Sequence, residues 1–262
     1  MSQHYRQKSN RLIVALSLTL STLLIAIAVI FWRDAQVAVP VQGASIDATS
    51  IVIKRNDFHT IELEKRAQQW HLTSPCNLMA NQQRVQTLLD TISGPGNQHY
   101  PASEVDREAA GLLTPLATVL INGTEHRVGS TDISEQRRYV QRGDVIELVP
   151  EWLLSLLSGG VTALSNLDVM PPQLTQIDIA ENSETTTLTA SQELEPWQTL
   201  QAQQIVSLKE FDVPEQLAYQ LSSTDAAGNS TQYQVYKTAE YTVMHIAQAS
   251  CAYILPPDTL PR

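Results

Sequence analysis

The chain has 262 residues, of which 43% are hydrophobic and 17% charged, and its 17 Lys and Arg against 27 Asp and Glu give a formal net charge of -10. That length and apolar content fit a folded protein with one large domain or two small ones. Two cysteines, Cys76 and Cys251, far apart and in no CxxC arrangement, exclude a disulfide-rich scaffold and a thiol-only metal cluster.

Up to Arg33 the only charges are basic: Arg6, Lys8, Arg11 and Arg33 itself. Without them, residues 34–262 carry 13 basic and 27 acidic side chains, a net of -14, which disfavours nucleic acid and anionic lipid surfaces as partners. Between Arg11 and Arg33 lies LIVALSLTLSTLLIAIAVIFW, a stretch without a charged side chain. A helix of that length spans about 30 Å, the hydrocarbon thickness of a bilayer. Phe31 and Trp32 stand where an interfacial aromatic belt belongs, and the basic residues before the segment hold the N-terminus in the cytoplasm. The competing reading, a cleaved signal peptide, fits worse: the apolar run is too long and no small-x-small site follows it.

The expected organisation is therefore a cytoplasmic tail over 1–11, a transmembrane helix over 12–32 in contact with the lipid bilayer, a stalk over 33–48, and an extracytoplasmic body. In the body, Ser50–Arg55 and His59–Glu64 read as strands joined through Asn56 and Asp57, with Ile61 and Leu63 alternating against Glu62 and Glu64. QWHLTSP supplies a third strand ending at Pro75. Val85, Leu88, Leu89 and Ile92 recur at helical spacing behind Asn81, an N-cap residue, and predict a helix over 81–92 stopped by Gly94-Pro95-Gly96. Ser103 with Asp106 forms a short capping-box pattern with Gly111 as C-terminal cap. Asn122-Gly123 joins Ala117–Ile121 to Glu125–Val128 as a hairpin, and RRYVQRGDVIELVP reads as a second one. EWLLSLLS is a short helix ended by Gly159-Gly160.

The second half restarts the first in its lettering: TSIVIKRND at 49–57 is echoed by TQIDIAENS at 175–183, and YVQRGDVIELVP at 139–150 by YTVMHIAQASCAYILP at 241–256. Trp70 follows Ile51 at nearly the spacing at which Trp197 follows Ile177, so the same reading aligns the two tryptophans. The expected class is α/β of the α+β type: two related modules, 49–167 and 175–262, each of mostly antiparallel sheet with packed helices, separated by a linker over 168–174 containing Pro171-Pro172.

Over Ile61–Leu157, and most clearly in ELEKRAQQWHLTSP, ANQQRV, GLLTPLATVLING and RRYVQRGDVIELV, the chain resembles the bacterial domain-of-unknown-function family 4340. The resemblance implies a membrane segment ahead of mixed α/β repeats and an accessory role in the envelope, in some members beside transport systems. It implies no activity and no catalytic residues.

Chemical motifs are sparse. The histidines His59, His71, His99, His126 and His245 form no HxH or HExxH pattern and read as surface or strand-edge residues, so neither a metal nor a cofactor is expected. Glu62 with Glu64, Glu104 with Asp106, and Glu193 with Glu195 are carboxylate pairs that solvent-facing strand positions explain without catalysis. There is no GxSxG elbow and no phosphate loop. Cys76 and Cys251 fall in opposite halves, either bridged in an oxidising compartment or left as two partly buried thiols. Arg138 and Arg142 alternate on one strand, either as an interaction face for an acidic partner or as a salt-bridged face. The functional expectation is a non-catalytic, single-pass inner-membrane protein whose periplasmic body scaffolds an envelope assembly through a membrane or envelope protein partner. An envelope hydrolase using carboxylates and a ligand-binding or sensing domain are the competing classes.

Overall fold

The computed structural model describes residues 47–261 except 57–58, 95–96, 135, 210 and 248. The expected tail, transmembrane helix and most of the stalk lie outside the described residues. Among the described residues, no helix is long and apolar enough to cross a membrane.

Alternation builds the first sheet. Ile51 and Ile53 of β1 (Ser50–Lys54) and Ile61 and Leu63 of β2 (Ile61–Arg66) are buried on one face, while Glu62 and Glu64 stand in solvent on the other. Ala67 and Gln68, both at positive φ, turn the chain into β3 (Gln69–Ser74), which adds Trp70 and Leu72 to the buried face. β4 (Leu78–Met79) pairs outside it. The remaining strands are β5 (Gln98–Pro101), β6 (Ala117–Ile121), β7 (Thr124–Asp132), β8 (Arg137–Arg142) and β9 (Val145–Pro150), in the nine-stranded antiparallel order β4-β3-β2-β1-β6-β7-β8-β9-β5. Asn122 and Gly123 sit at φ 48° and 80°, the positive values a tight hairpin turn requires. The Asn122 carboxamide also accepts from the Thr49 N–H at 2.8 Å and donates to the Asp47 carbonyl at 2.9 Å, fixing where the chain enters β1.

Helix α1 (Gln82–Ser93) forms where the spacing places it. Asn81 caps it by accepting from the Arg84 N–H at 3.0 Å, and Val85, Leu88, Leu89 and Ile92 are buried against the sheet. Each of those side chains contributes roughly 1.5–3 kcal/mol by leaving water. Leu153 and Leu157 of α2 (Leu153–Ser158) and Leu164 of α3 (Gly160–Leu164) complete the same core. On the opposite face a strap over 102–112 covers Ile146 with Ala110 and Leu112. The capping-box pattern from Ser103 predicts a short helix here. The strap is instead a run of turns, with the Asp106 carboxylate satisfying the Glu108 and Ala109 N–H groups at 3.0 and 3.1 Å.

The second sheet comprises β10 (Leu174–Glu181), β11 (Glu184–Leu188), β12 (Gln204–Ser207), β13 (Leu217–Asp225), β14 (Ser230–Lys237), β15 (Thr242–Ile246) and β16 (Cys251–Leu255), in the seven-stranded order β11-β10-β13-β14-β15-β16-β12. Helix α4 (Ser191–Gln198) lays Leu194 and Trp197 on its core. Seven strands of the first sheet, β2-β1-β6-β7-β8-β9-β5, occur in the same order relative to the chain, and in both sheets the helix precedes the strand that returns to the far edge. Among the described residues, β3 and β4 have no counterpart in the second sheet. Trp70 and Trp197, aligned in the sequence reading, are therefore not equivalent: one lies on the extra strand β3 and the other on α4.

The chain between the sheets is packed, not slack. Val169 and Met170 are 3% and 5% exposed in the second core, and the buried Tyr233 hydroxyl donates to the Val169 carbonyl at 2.9 Å. Pro75–Ala80 crosses in the other direction, placing Cys76 and Leu78 in the core of the second sheet although they follow β3 of the first.

Candidate functional site at the junction of the sheets

Cys76 and Cys251 are joined by a disulfide, with their Cα atoms 5.5 Å apart and 175 positions separating them in the chain. Both are buried, and the adjacent Ser250 hydroxyl donates to the Pro75 carbonyl. The bridge fixes one wall of a cleft of about 460 Å³ between the halves.

The first half gives this cleft His59, Ile61, Pro75 and the Gly159–Thr162 corner between α2 and α3. The second half gives the whole of β12 together with Phe211, Tyr241 and Ile254. Glycine is needed at the corner for two reasons. A Cβ on Gly159 would stand 2.6 Å from the Ala163 Cβ, and Gly160 takes φ +58° facing open space. Thr162 ties the corner to the outer edge of β12: its hydroxyl accepts from the Ile205 N–H at 3.0 Å and donates to the Ile205 carbonyl at 3.1 Å. Phe211 meets Tyr241 edge to face, with ring centroids 6.0 Å apart. The titratable side chains in this lining are His59 and Tyr241. Such a surface offers apolar contact, ring faces and strand backbone, a set suited to binding.

The other sequence candidates lie elsewhere. Arg138 is not an accessible interaction face. It is 3% exposed, and its guanidinium donates to the Thr131 hydroxyl at 2.9 Å, to the Gly129 carbonyl and to the Glu151 carboxylate. Arg142 is half-buried and 3.5 Å from Glu147. The two arginines share the face of Val140, which is the core face of β8, and that is why both are drawn inward onto carboxylates.

His99 and His126, expected at the surface or at a strand edge, are 7% and 2% exposed, His99 on the edge strand β5 and His126 inside the sheet on β7. His99 Nδ1 is 3.7 Å from Glu147, whose carboxylate also accepts from Asn97 at 3.3 Å. Burial, reinforced by the Arg142 charge, pushes His126 down from 6.5 to about 4. The signal was present in the sequence, because His126 and Val128 alternate inward between Glu125 and Arg127. The carboxylate pairs are not brought together. Glu62 and Glu64 are exposed on β2, Glu104 and Asp106 on the strap, and Glu193 and Glu195 on α4. Among the described residues, no group of three or more His, Cys, Asp and Glu side chains is placed to hold a metal ion.

Comparison with family models, with curated proteins and with solved structures returned no match.

Proposed function

We propose that this chain is a non-catalytic accessory subunit of an envelope assembly, anchored in a bacterial inner membrane through residues 12–32 and binding a partner polypeptide with its periplasmic body. The observation that carries this reading is the chemistry of the junction cleft, where glycine backbone, aliphatic side chains and an aromatic pair stand against an edge strand. The disulfide supports an oxidising compartment, in keeping with the charge-free stretch and the basic residues ahead of it. An anchor raises the effective concentration of the body at a membrane-bound partner without any added contact.

We further infer that the halves descend from one duplicated unit. The shared strand order supports this, as do the two sequence echoes, which fall on β1 with β10 and on the β8–β9 hairpin with the β15–β16 hairpin. Membership of family 4340 is proposed on the quoted segments alone. A second reading, a small-molecule receptor, is favoured by the cleft's volume, which lies in the usual range for ligand sites.

The test is photo-crosslinking in intact cells from a photoreactive residue in place of Phe211. The accessory reading expects one recurring polypeptide adduct at native abundance. Repeated recovery of the chain alone would remove it.

A further inference from the structure

We propose that the outer edge of β11 is a docking strand for a basic, extended segment of a partner polypeptide, which pairs antiparallel to it in the place that β3 occupies in the first sheet. The proposal rests on the reading of the chain as a partner-binding subunit and names a surface separate from the cleft.

Among the described residues, β11 pairs only with β10 and ends the second sheet. Its residues Glu184 to Thr187 are exposed, its register is unbroken by a bulge, and it contains no proline. The Asn182-Ser183 turn makes Glu181 and Glu184 the first bonded pair, so Glu184, Thr186 and Leu188 spend their backbone groups on β10. Alternation then turns the N–H and C=O of Thr185 and Thr187 outward. The other sheet ends are blunted: Thr162 occupies the backbone of Ile205 on β12, a bridge from Ala80 to Ser165 closes the β4 side, and the four-residue β5 ends in Pro101.

The first half shows what such an edge takes. There β2, in the position of β11, is covered by antiparallel β3, whose Trp70 and Leu72 help leave Leu63 only 1% exposed. On β11 the corresponding layer stays open, with Ile179 and Leu188 only partly buried at the margin of the second core. A strand with apolar side chains two apart on one face would complete it. Charge selects the rest of the occupant. Between Arg142 and Lys209 the chain holds no Lys or Arg, while Glu181, Glu184, Glu193 and Glu195 are exposed on the β10–β11 hairpin and α4. An acidic strand would be repelled and a basic one steered in.

The experiment uses the full chain in its membrane, with a photoreactive residue in place of Thr187 and, separately, in place of Phe211. Thr185→Pro removes an N–H that β10 does not use, so it blocks the outer edge and spares the hairpin. The expected result is an adduct at Thr187 that maps to an extended, Lys- or Arg-containing segment and falls at least about tenfold with Thr185→Pro, the equivalent of roughly 1.4 kcal/mol. Should that variant misfold by circular dichroism, Glu181→Lys with Glu184→Lys keeps the backbone intact and should cut the adduct similarly. An adduct undiminished by both changes, or one to a second copy or to another part of this chain, overturns the proposal. So does a silent Thr187 probe beside a productive Phe211 probe, which leaves the accessory reading standing. Silence at both positions removes both.

Discussion

The disulfide gives the sharpest test of how the halves are coupled. Cys76→Ala with Cys251→Ala releases a crosslink spanning 175 positions. Closing a loop of that length removes conformational entropy from the unfolded chain worth about 5 kcal/mol at 25 °C. Because Cys76 is buried in the second core, the loss should concentrate there and not spread evenly. Urea unfolding followed by tryptophan fluorescence resolves this, since Trp197 lies in the second core and Trp70 in the first. The variant should unfold at a clearly lower urea concentration. Hydrogen exchange should accelerate first in Pro75–Ala80, β12 and the start of β16, while α1 keeps its protection. If the oxidised protein and the variant unfold at the same midpoint, the chain-entropy reasoning is wrong for this fold. A uniform rise in exchange would refute the localisation.

Three further outcomes follow from buried groups. His126 stays neutral in the folded chain down to about pH 4, whereas the unfolded chain binds its proton near 6.5. Stability should therefore fall as pH drops from 6.5 to 4, by about 3 kcal/mol from this group, and His126→Leu should flatten that part of the urea-midpoint profile. Gly129→Ala would put a Cβ 2.2 Å from the Ala110 carbonyl oxygen, so the strap over 102–112 must shift, with an expected loss of about 1–3 kcal/mol in thermal or urea unfolding. Glu151→Ala leaves Arg138 charged and buried and should cost about 3–5 kcal/mol, whereas Arg138→Met leaves a Glu151 side chain that is 40% exposed and should cost less; equal losses would count against this account.

Local patterns in the sequence were legible where one element's own chemistry decides its structure. Asn81 and the Val85–Ile92 spacing predict α1, and Asn122-Gly123 predicts the β6–β7 turn, because capping and tight turns are settled within a few positions. The capping-box pattern at Ser103 misled, since the strap is held by contacts with β7, such as the bond from the Ser130 N–H to the Ala110 carbonyl at 2.8 Å. Arg138 and Arg142 take the salt-bridged arrangement, one of the two readings that their alternation allowed, with Glu151 and Glu147. His126 reads as a surface or strand-edge residue although its alternation with Val128 points it inward, whereas the pairing of His99 with Glu147 and of Arg138 with Glu151 depends on segments that only the fold brings together. The cleft was not legible at all, as its walls come from segments as distant in the chain as His59 and Ile254, which carry no shared motif.

Comparing the halves isolates what folding alone does not require. Across the first sheet, Val128, Val140, Glu147 and His99 lie in one row; the matching row in the second is Val235, Met244, Tyr253 and Ile205. The second half fills the far end of its row with an aromatic and an aliphatic side chain, so a unit of this topology needs no charge there. The first half instead buries a histidine and a carboxylate, with Arg142 and Asn97 satisfying the latter. Burying such a network in place of hydrophobic side chains seldom adds stability. The same logic applies at the other end of the sheet order, where, among the described residues, the first half covers its edge with β3 and the second leaves β11 bare. If one unit was duplicated, the parts the halves share report what the fold needs, and the places where they differ are where a partner or a proton has something to act on.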